Sequence, residues 1–138
     1  EFGRKGDFIT SPGISKLFSE MIAIWVVSFW ENLNKPEKIN LVELGAGNGE
    51  LIEVLINTLN KLEIVKDKFK FFIFEKSMSL KKLQKKKFSK SVKWLDNFDK
   101  LPNSPTIFLA NEFFDALPIK QFIKINEDNS TMLINFNK

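Results

Sequence analysis

Apolar residues recur at three- and four-residue steps through the first part of the chain, at Ile14, Leu17, Phe18, Met21, Ile22, Trp25, Val26, Phe29, Trp30 and Leu33. On a helix those positions share one face, so the spacing predicts a long amphipathic helix whose stripe packs against the core. Ser11 offers an N-cap, Pro12 suits the first helical turn, and Asn34 with Pro36 marks the end. The period then changes. Residues 39–44 form a short apolar run, a predicted strand, that leads into three closely spaced glycines. Leu51, Ile52, Val54, Leu55, Leu59 and Leu62 return to helical spacing.

Residues 69–74 are apolar apart from Lys70, as expected of a strand covered on both faces in a parallel sheet. A lysine-rich helix follows, with Leu80 and Leu83 as its predicted buried side. Short strands are predicted at 92–95 and 106–110, separated by the turn Leu101-Pro102-Asn103-Ser104-Pro105. Residues 121–125 and 131–136 flank Glu127-Asp128-Asn129-Ser130 and read as a hairpin. This alternation predicts an α/β fold: an open, mostly parallel sheet with flanking helices, whose ligands bind beyond the carboxyl ends of the strands. No internal repeat or boundary interrupts it, so residues 1–138 are read as a single domain.

Composition narrows the chemistry. With 43% hydrophobic and 28% charged residues the chain reads as an ordinary globular one. The absence of Cys excludes disulfides and thiolate metal sites and suggests an intracellular compartment. The absence of His removes the commonest general base and metal ligand, and no metal site is expected. The longest apolar run, Met21 to Trp30, is far short of the about 20 residues a membrane span needs, so no membrane insertion is expected. The chain opens at Glu1-Phe2-Gly3 with neither an initiator Met nor a signal peptide, which suggests a fragment or a trimmed chain. The net charge of +4 is concentrated in Lys81, Lys82, Lys85, Lys86 and Lys87. No aromatic residues are interleaved with them as stacking platforms, so they read as a solvated helix face rather than a nucleic-acid surface.

Candidate chemistry gathers at the predicted strand ends. In Glu43-Leu44-Gly45-Ala46-Gly47-Asn48-Gly49, Gly45 and Gly47 permit a tight turn and close backbone approach, and Gly49 opens the helix against the sheet. The spacing is G-x-G-x-G, with Glu50 where a nicotinamide fingerprint has its last Gly or Ala. Glu43, two residues before the first glycine, would repel a pyrophosphate but suits the amino and sulfonium end of S-adenosylmethionine. Glu75 ends the next strand, where a carboxylate can accept both ribose hydroxyls of an adenosine. Asp96, Asn97 and Phe98 follow the third strand and suit the edge and face of an adenine. After the fourth strand, Asn111, Glu112 and Asp115 stand beside Phe113 and Phe114. Carboxylates there can hold a guanidinium through paired hydrogen bonds or orient an amine.

Three segments together resemble the MidA-like methyltransferase family: Gly6-Asp7-Phe8-Ile9-Thr10-Ser11-Pro12, Glu43 to Gly49, and Asn111-Glu112-Phe113-Phe114-Asp115-Ala116-Leu117-Pro118. That family includes mitochondrial methyltransferases needed to assemble respiratory complex I. The resemblance implies a class I, Rossmann-like methyltransferase fold that binds S-adenosylmethionine, truncated here relative to the full family. It implies a protein acceptor, an arginine in a complex I subunit, with a location in the bacterial cytoplasm or, in a eukaryote, the mitochondrial matrix. Carried over by position, Gly45, Gly47, Gly49 and Glu75 would hold the cofactor, Asp7, Thr10 and Ser11 would close over it, and Asn111, Glu112 and Asp115 would face the acceptor. Departures are Gly13 in place of the family's usual Glu, Ser19 in place of Gly, and Ala46 and Asn48 in place of Pro and Arg. Two rival readings are a non-catalytic binding or assembly module that retains the fold, and a nicotinamide-dependent oxidoreductase, which the loop spacing disfavours.

Overall fold

The computed structural model describes residues 16–88, 90–118, 121–124 and 131–134, the last two segments by their backbone only. Chain order runs α1 (Lys16–Asn32), β1 (Ile39–Leu44), α2 (Glu50–Leu59), β2 (Phe69–Phe74), α3 (Met78–Phe88), β3 (Val92–Leu95), β4 (Thr106–Leu109), β5 (Gln121–Lys124) and β6 (Thr131–Ile134). Short 3-10 turns cover Glu63–Val65 and Phe114–Ala116. β1 to β4 form one parallel sheet in the order β3-β2-β1-β4. β5 and β6 make an antiparallel pair, with Lys124 opposite Thr131. The α/β architecture expected from the alternation is therefore present. The expected helix start at Ser11 and Pro12 lies outside the described residues.

The strand order carries the functional consequence. From β1 the chain steps outward through β2 to β3, then returns to place β4 on the other side of β1. The order reverses between β1 and β4, and in an open α/β sheet such a reversal opens a crevice beyond the carboxyl ends of the two strands.

Leu41, Phe71, Val92 and Ile107 share one register line. With Ile39, Ile73 and Leu109 they form a single core with Ala23, Val26 and Trp30 of α1, Leu51, Ile52, Leu55 and Leu59 of α2, and Phe88 of α3. The opposite face is covered less. Val42, Phe72 and Leu95 cluster there beneath Leu101, while Lys70, Lys93 and Phe108 are exposed. The expectation that residues 69–74 are buried on both faces thus holds at Phe72 and fails at Lys70, whose charge stays in water.

Two helix faces differ from those the pattern predicts. On α1 the buried positions are Ser19, Ala23, Val26 and Trp30, whereas Leu17, Met21, Trp25, Phe29 and Leu33 of the predicted stripe are exposed. α1 is apolar around most of its circumference, and the small side chains of Ser19 and Ala23 let its backbone approach α2. On α3 the buried residues are Gln84 and Phe88, not Leu83, which is 47% exposed, or the half-buried Leu80. Among the described residues no helix is long and apolar enough to cross a membrane.

One buried amide ties the sheet to its connecting turn. Asn40 is fully buried on β1, and its Nδ2 donates to the Pro102 carbonyl at 3.0 Å and to Thr106 Oγ1 at 3.1 Å. Its backbone N–H bonds to the Pro105 carbonyl at 2.8 Å. Asn40→Ala is expected to lower the unfolding free energy by about 1–3 kcal/mol, the scale for leaving buried polar partners unsatisfied. Urea denaturation with an unchanged m-value checks it.

Candidate functional site

β1 ends in the glycine turn, and each glycine of the turn meets a different neighbour. A Cβ on Gly45 would stand 2.7 Å from Cδ2 of Phe113, and one on Gly49 would stand 2.5 Å from the ring of Phe88. Around the Cβ position of Gly47 there is nothing within 4 Å. The outer two glycines therefore admit aromatic rings, and the middle one faces open space. All three have positive φ, 65°, 54° and 75°, which L side chains adopt at a cost. Gly49 caps α2 in the left-handed conformation without any side-chain hydrogen bond.

Glu43 lies beneath this turn. It is 5% exposed and accepts a hydrogen bond from the backbone N–H of Ile52, in the first turn of α2. A strand carboxylate thus does the capping that Gly49 has no side chain to do. Its Oε2 is buried without a hydrogen-bond partner.

Glu75 follows β2 and is 9% exposed. Its Oε1 accepts from the Ser77 backbone N–H at 2.9 Å and its Oε2 from Nε2 of Gln84 at 3.3 Å. The same Nε2 donates to the Gly47 carbonyl at 2.8 Å, so one side chain of α3 joins the glycine turn to Glu75. Composition and spacing gave no sign of Gln84. Its only mark in the sequence is a neutral polar residue one helical turn before Phe88, among lysines.

At β3 the exit residues Asp96 and Asn97 are exposed. Asp96 accepts from Lys81 Nζ at 2.7 Å, and that ammonium holds its carboxyl below the ordinary carboxylate range. Phe98, expected at an adenine face, packs on Phe74 and Phe108, with ring centroids 4.9 and 5.5 Å away, and stays 45% exposed. Those two residues share the thinly covered sheet face, so Phe98 covers that face.

The loop after β4 reaches back to the turn. Because β4 neighbours β1, the segment with Asn111, Glu112 and Phe113 leaves the sheet next to the strand that carries Gly45, and Phe113 packs on that glycine. Phe114 meets Phe113 edge-on at 5.5 Å between centroids. Glu112 has φ 52°, a left-handed backbone rare for a residue with a side chain, and such strain concentrates at functional loops. Asp115 lies on the exposed 3-10 turn that follows. The structure brings Glu43, the three glycines, Glu75 and the β4 loop around the β1/β4 switch point. Asp96 and Asn97 stand at the outer strand. Asp7, Thr10 and Ser11 lie outside the described residues.

Residues 21–138 match the family described as "Putative S-adenosyl-L-methionine-dependent methyltransferase". The chain belongs to this methyltransferase family. It is 32% identical, over 157 aligned positions, to the mitochondrial protein arginine methyltransferase NDUFAF7 of Xenopus laevis, which covers 96% of this chain and 36% of that protein. The Drosophila melanogaster homologue is 35% identical over 86% of this chain and 32% of its own length. The human protein is 31% identical over 88% and 33%. The chain thus spans about a third of the length of these curated relatives.

Within this methyltransferase-family turn, Glu43 is an ionisable group held in an apolar place. Burial pushes its carboxyl from an ordinary 4.5 up to about 8; the Ile52 N–H opposes the shift and the nearby Glu75 charge adds to it. The folded state therefore keeps a proton that the unfolded chain loses above about pH 4.5. Stability is expected to fall as pH rises from about 4.5 to about 8 and then to level off with respect to this group. Glu43→Gln should flatten that slope, and denaturant titrations of both proteins across the interval check it.

Proposed function

We propose that this chain forms the S-adenosylmethionine-binding part of a protein arginine methyltransferase. The observation that carries the reading is the open space at Gly47, set at the β1/β4 switch point between the buried carboxylate of Glu75 and the acidic loop after β4. The residues present fit the cofactor. A cradle without Cβ atoms leaves main-chain groups approachable, the unpartnered Oε2 of Glu43 lies beneath it, and a nearly buried carboxylate stands at the next strand end. When bound, the cofactor supplies a methyl group on a sulfonium whose leaving thioether is neutral.

Little acid–base help is needed for such a transfer, so the chain's residues mainly bind, align and exclude water. Gly45, Gly47 and Gly49 offer backbone to the amino-acid portion, and Glu43 lies beneath it, where a cationic ligand would favour its ionised form. Glu75 accepts the ribose hydroxyls, and Asp96 and Asn97 border the adenine side. Asn111, Glu112 and Asp115 orient the acceptor guanidinium, and Glu112 or Asp115 takes up the proton it releases. The names of the relatives support an arginine acceptor and a mitochondrial setting. The family resemblance supports a complex I subunit as the protein acceptor.

Calorimetric titration tests the site. S-adenosylhomocysteine should bind saturably and NAD should not, and Glu75→Ala should weaken binding by about 10- to 150-fold, the scale of lost charge-assisted hydrogen bonds. Equal affinity for parent and variant would remove Glu75 from the site; a preference for NAD would overturn the methyltransferase reading.

The acceptor side is tested in the full-length protein with an arginine-containing peptide. Glu112→Gln should reduce methylation by about tenfold or more, with little change in S-adenosylhomocysteine affinity. Unchanged turnover would leave Glu112 a purely conformational role.

A further inference from the structure

Gln84 is fully buried on a helix whose other polar residues are mostly lysines at the surface. An amide so placed costs free energy unless its groups are bonded, and here both ends are. Trp94 of β3 donates its indole N–H to Gln84 Oε1 at 3.0 Å. An indole nitrogen can only donate, so the amide oxygen has to face Trp94 and the amide nitrogen has to face away from it. On that side stand two acceptors, the Gly47 carbonyl at 2.8 Å and Glu75 Oε2 at 3.3 Å, one for each amide hydrogen. Reversing the amide would set its oxygen against two acceptors and its nitrogen against a donor. A single orientation remains.

We infer that Gln84 is a positioning residue for the nucleoside end of the site, setting the direction in which Glu75 presents its carboxylate to the two hydroxyls of a ribose. This rests on the proposed reading of Glu75 and deepens it. An ionised carboxylate has about four acceptor positions, two per oxygen. The Ser77 N–H takes one on Oε1 and Gln84 takes one on Oε2. One position per oxygen is left, which matches the two donors of a vicinal diol. Because the same amide holds the Gly47 carbonyl, the spacing between the turn and that carboxylate is set by one side chain.

The test compares S-adenosylhomocysteine with its 2′-deoxy counterpart by calorimetry on the parent and on Gln84→Met, which keeps the length and removes the polar groups. The parent should prefer the diol ligand by about tenfold, the scale of one hydrogen bond to a charged group. Gln84→Met should lose most of that preference, the diol ligand losing several times more affinity than the 2′-deoxy ligand. Trp94→Phe keeps the amide but removes the donor that orients it. It should reduce the diol preference in the same direction by about threefold, and it carries the test if Gln84→Met does not fold. Equal loss for both ligands in the folded variants, or an undiminished diol preference, overturns the inference about Gln84 alone. Absence of saturable binding of S-adenosylhomocysteine to the parent overturns the site reading on which it stands.

Discussion

α3 presses against the glycine turn through two residues one helical turn apart, and the shape of the site follows from that contact. The ring of Phe88 occupies the place a Cβ of Gly49 would need, and Gln84 bonds to the Gly47 carbonyl. The salt bridge between Lys87 and Glu53, at 2.6 Å, spans the same two helices at their partly exposed edge. Interiors are packed too densely for such an approach to be adjusted continuously. The turn, the start of α2 and the end of α3 therefore form one unit, with Glu75 attached to it by an amide.

Beneath that unit lies a polar layer that the apolar core does not cover. Glu43 caps α2 from below, Glu75 is held by Ser77 and Gln84, and Gln84 is oriented by Trp94. Two carboxyl groups in so dry a place repel each other when both are charged, which contributes to the high proton affinity of Glu43. A cationic ligand at the turn would favour ionisation of Glu43, while an empty turn favours its neutral form.

The β4 loop meets the glycine turn through the Phe113 ring. Phe113 rests on Gly45, so whatever moves the loop also moves the first residue of the turn. Glu112, in a left-handed conformation next to that anchor, is fixed in direction by its neighbours rather than by its own preference.

The sequence by itself determined the elements and the candidate strand ends. Short apolar runs marked β1, β2, β3 and β4, helical spacing marked α1, α2 and α3, and three glycines after Glu43 marked the turn that follows β1. These are local properties, because backbone preference and alternation act over a few residues. Only the tertiary structure decided which faces and partners those elements use. Leu83 and Leu17 looked buried by pattern but are exposed, while Gln84 with Phe88 and Ser19 with Ala23 are buried in their place. The packing of Phe98 on Phe74 and Phe108 was likewise not legible in the sequence. Gln84 was silent in the sequence because its function depends on three acceptors and donors that lie 37, 9 and 10 residues away along the chain. The adjacency of β4 to β1, which sets the acidic loop beside the glycines, is likewise a matter of strand order. Local pattern cannot specify it, since strands of similar apolar character can pair in several orders and only the packing of the whole sheet selects one.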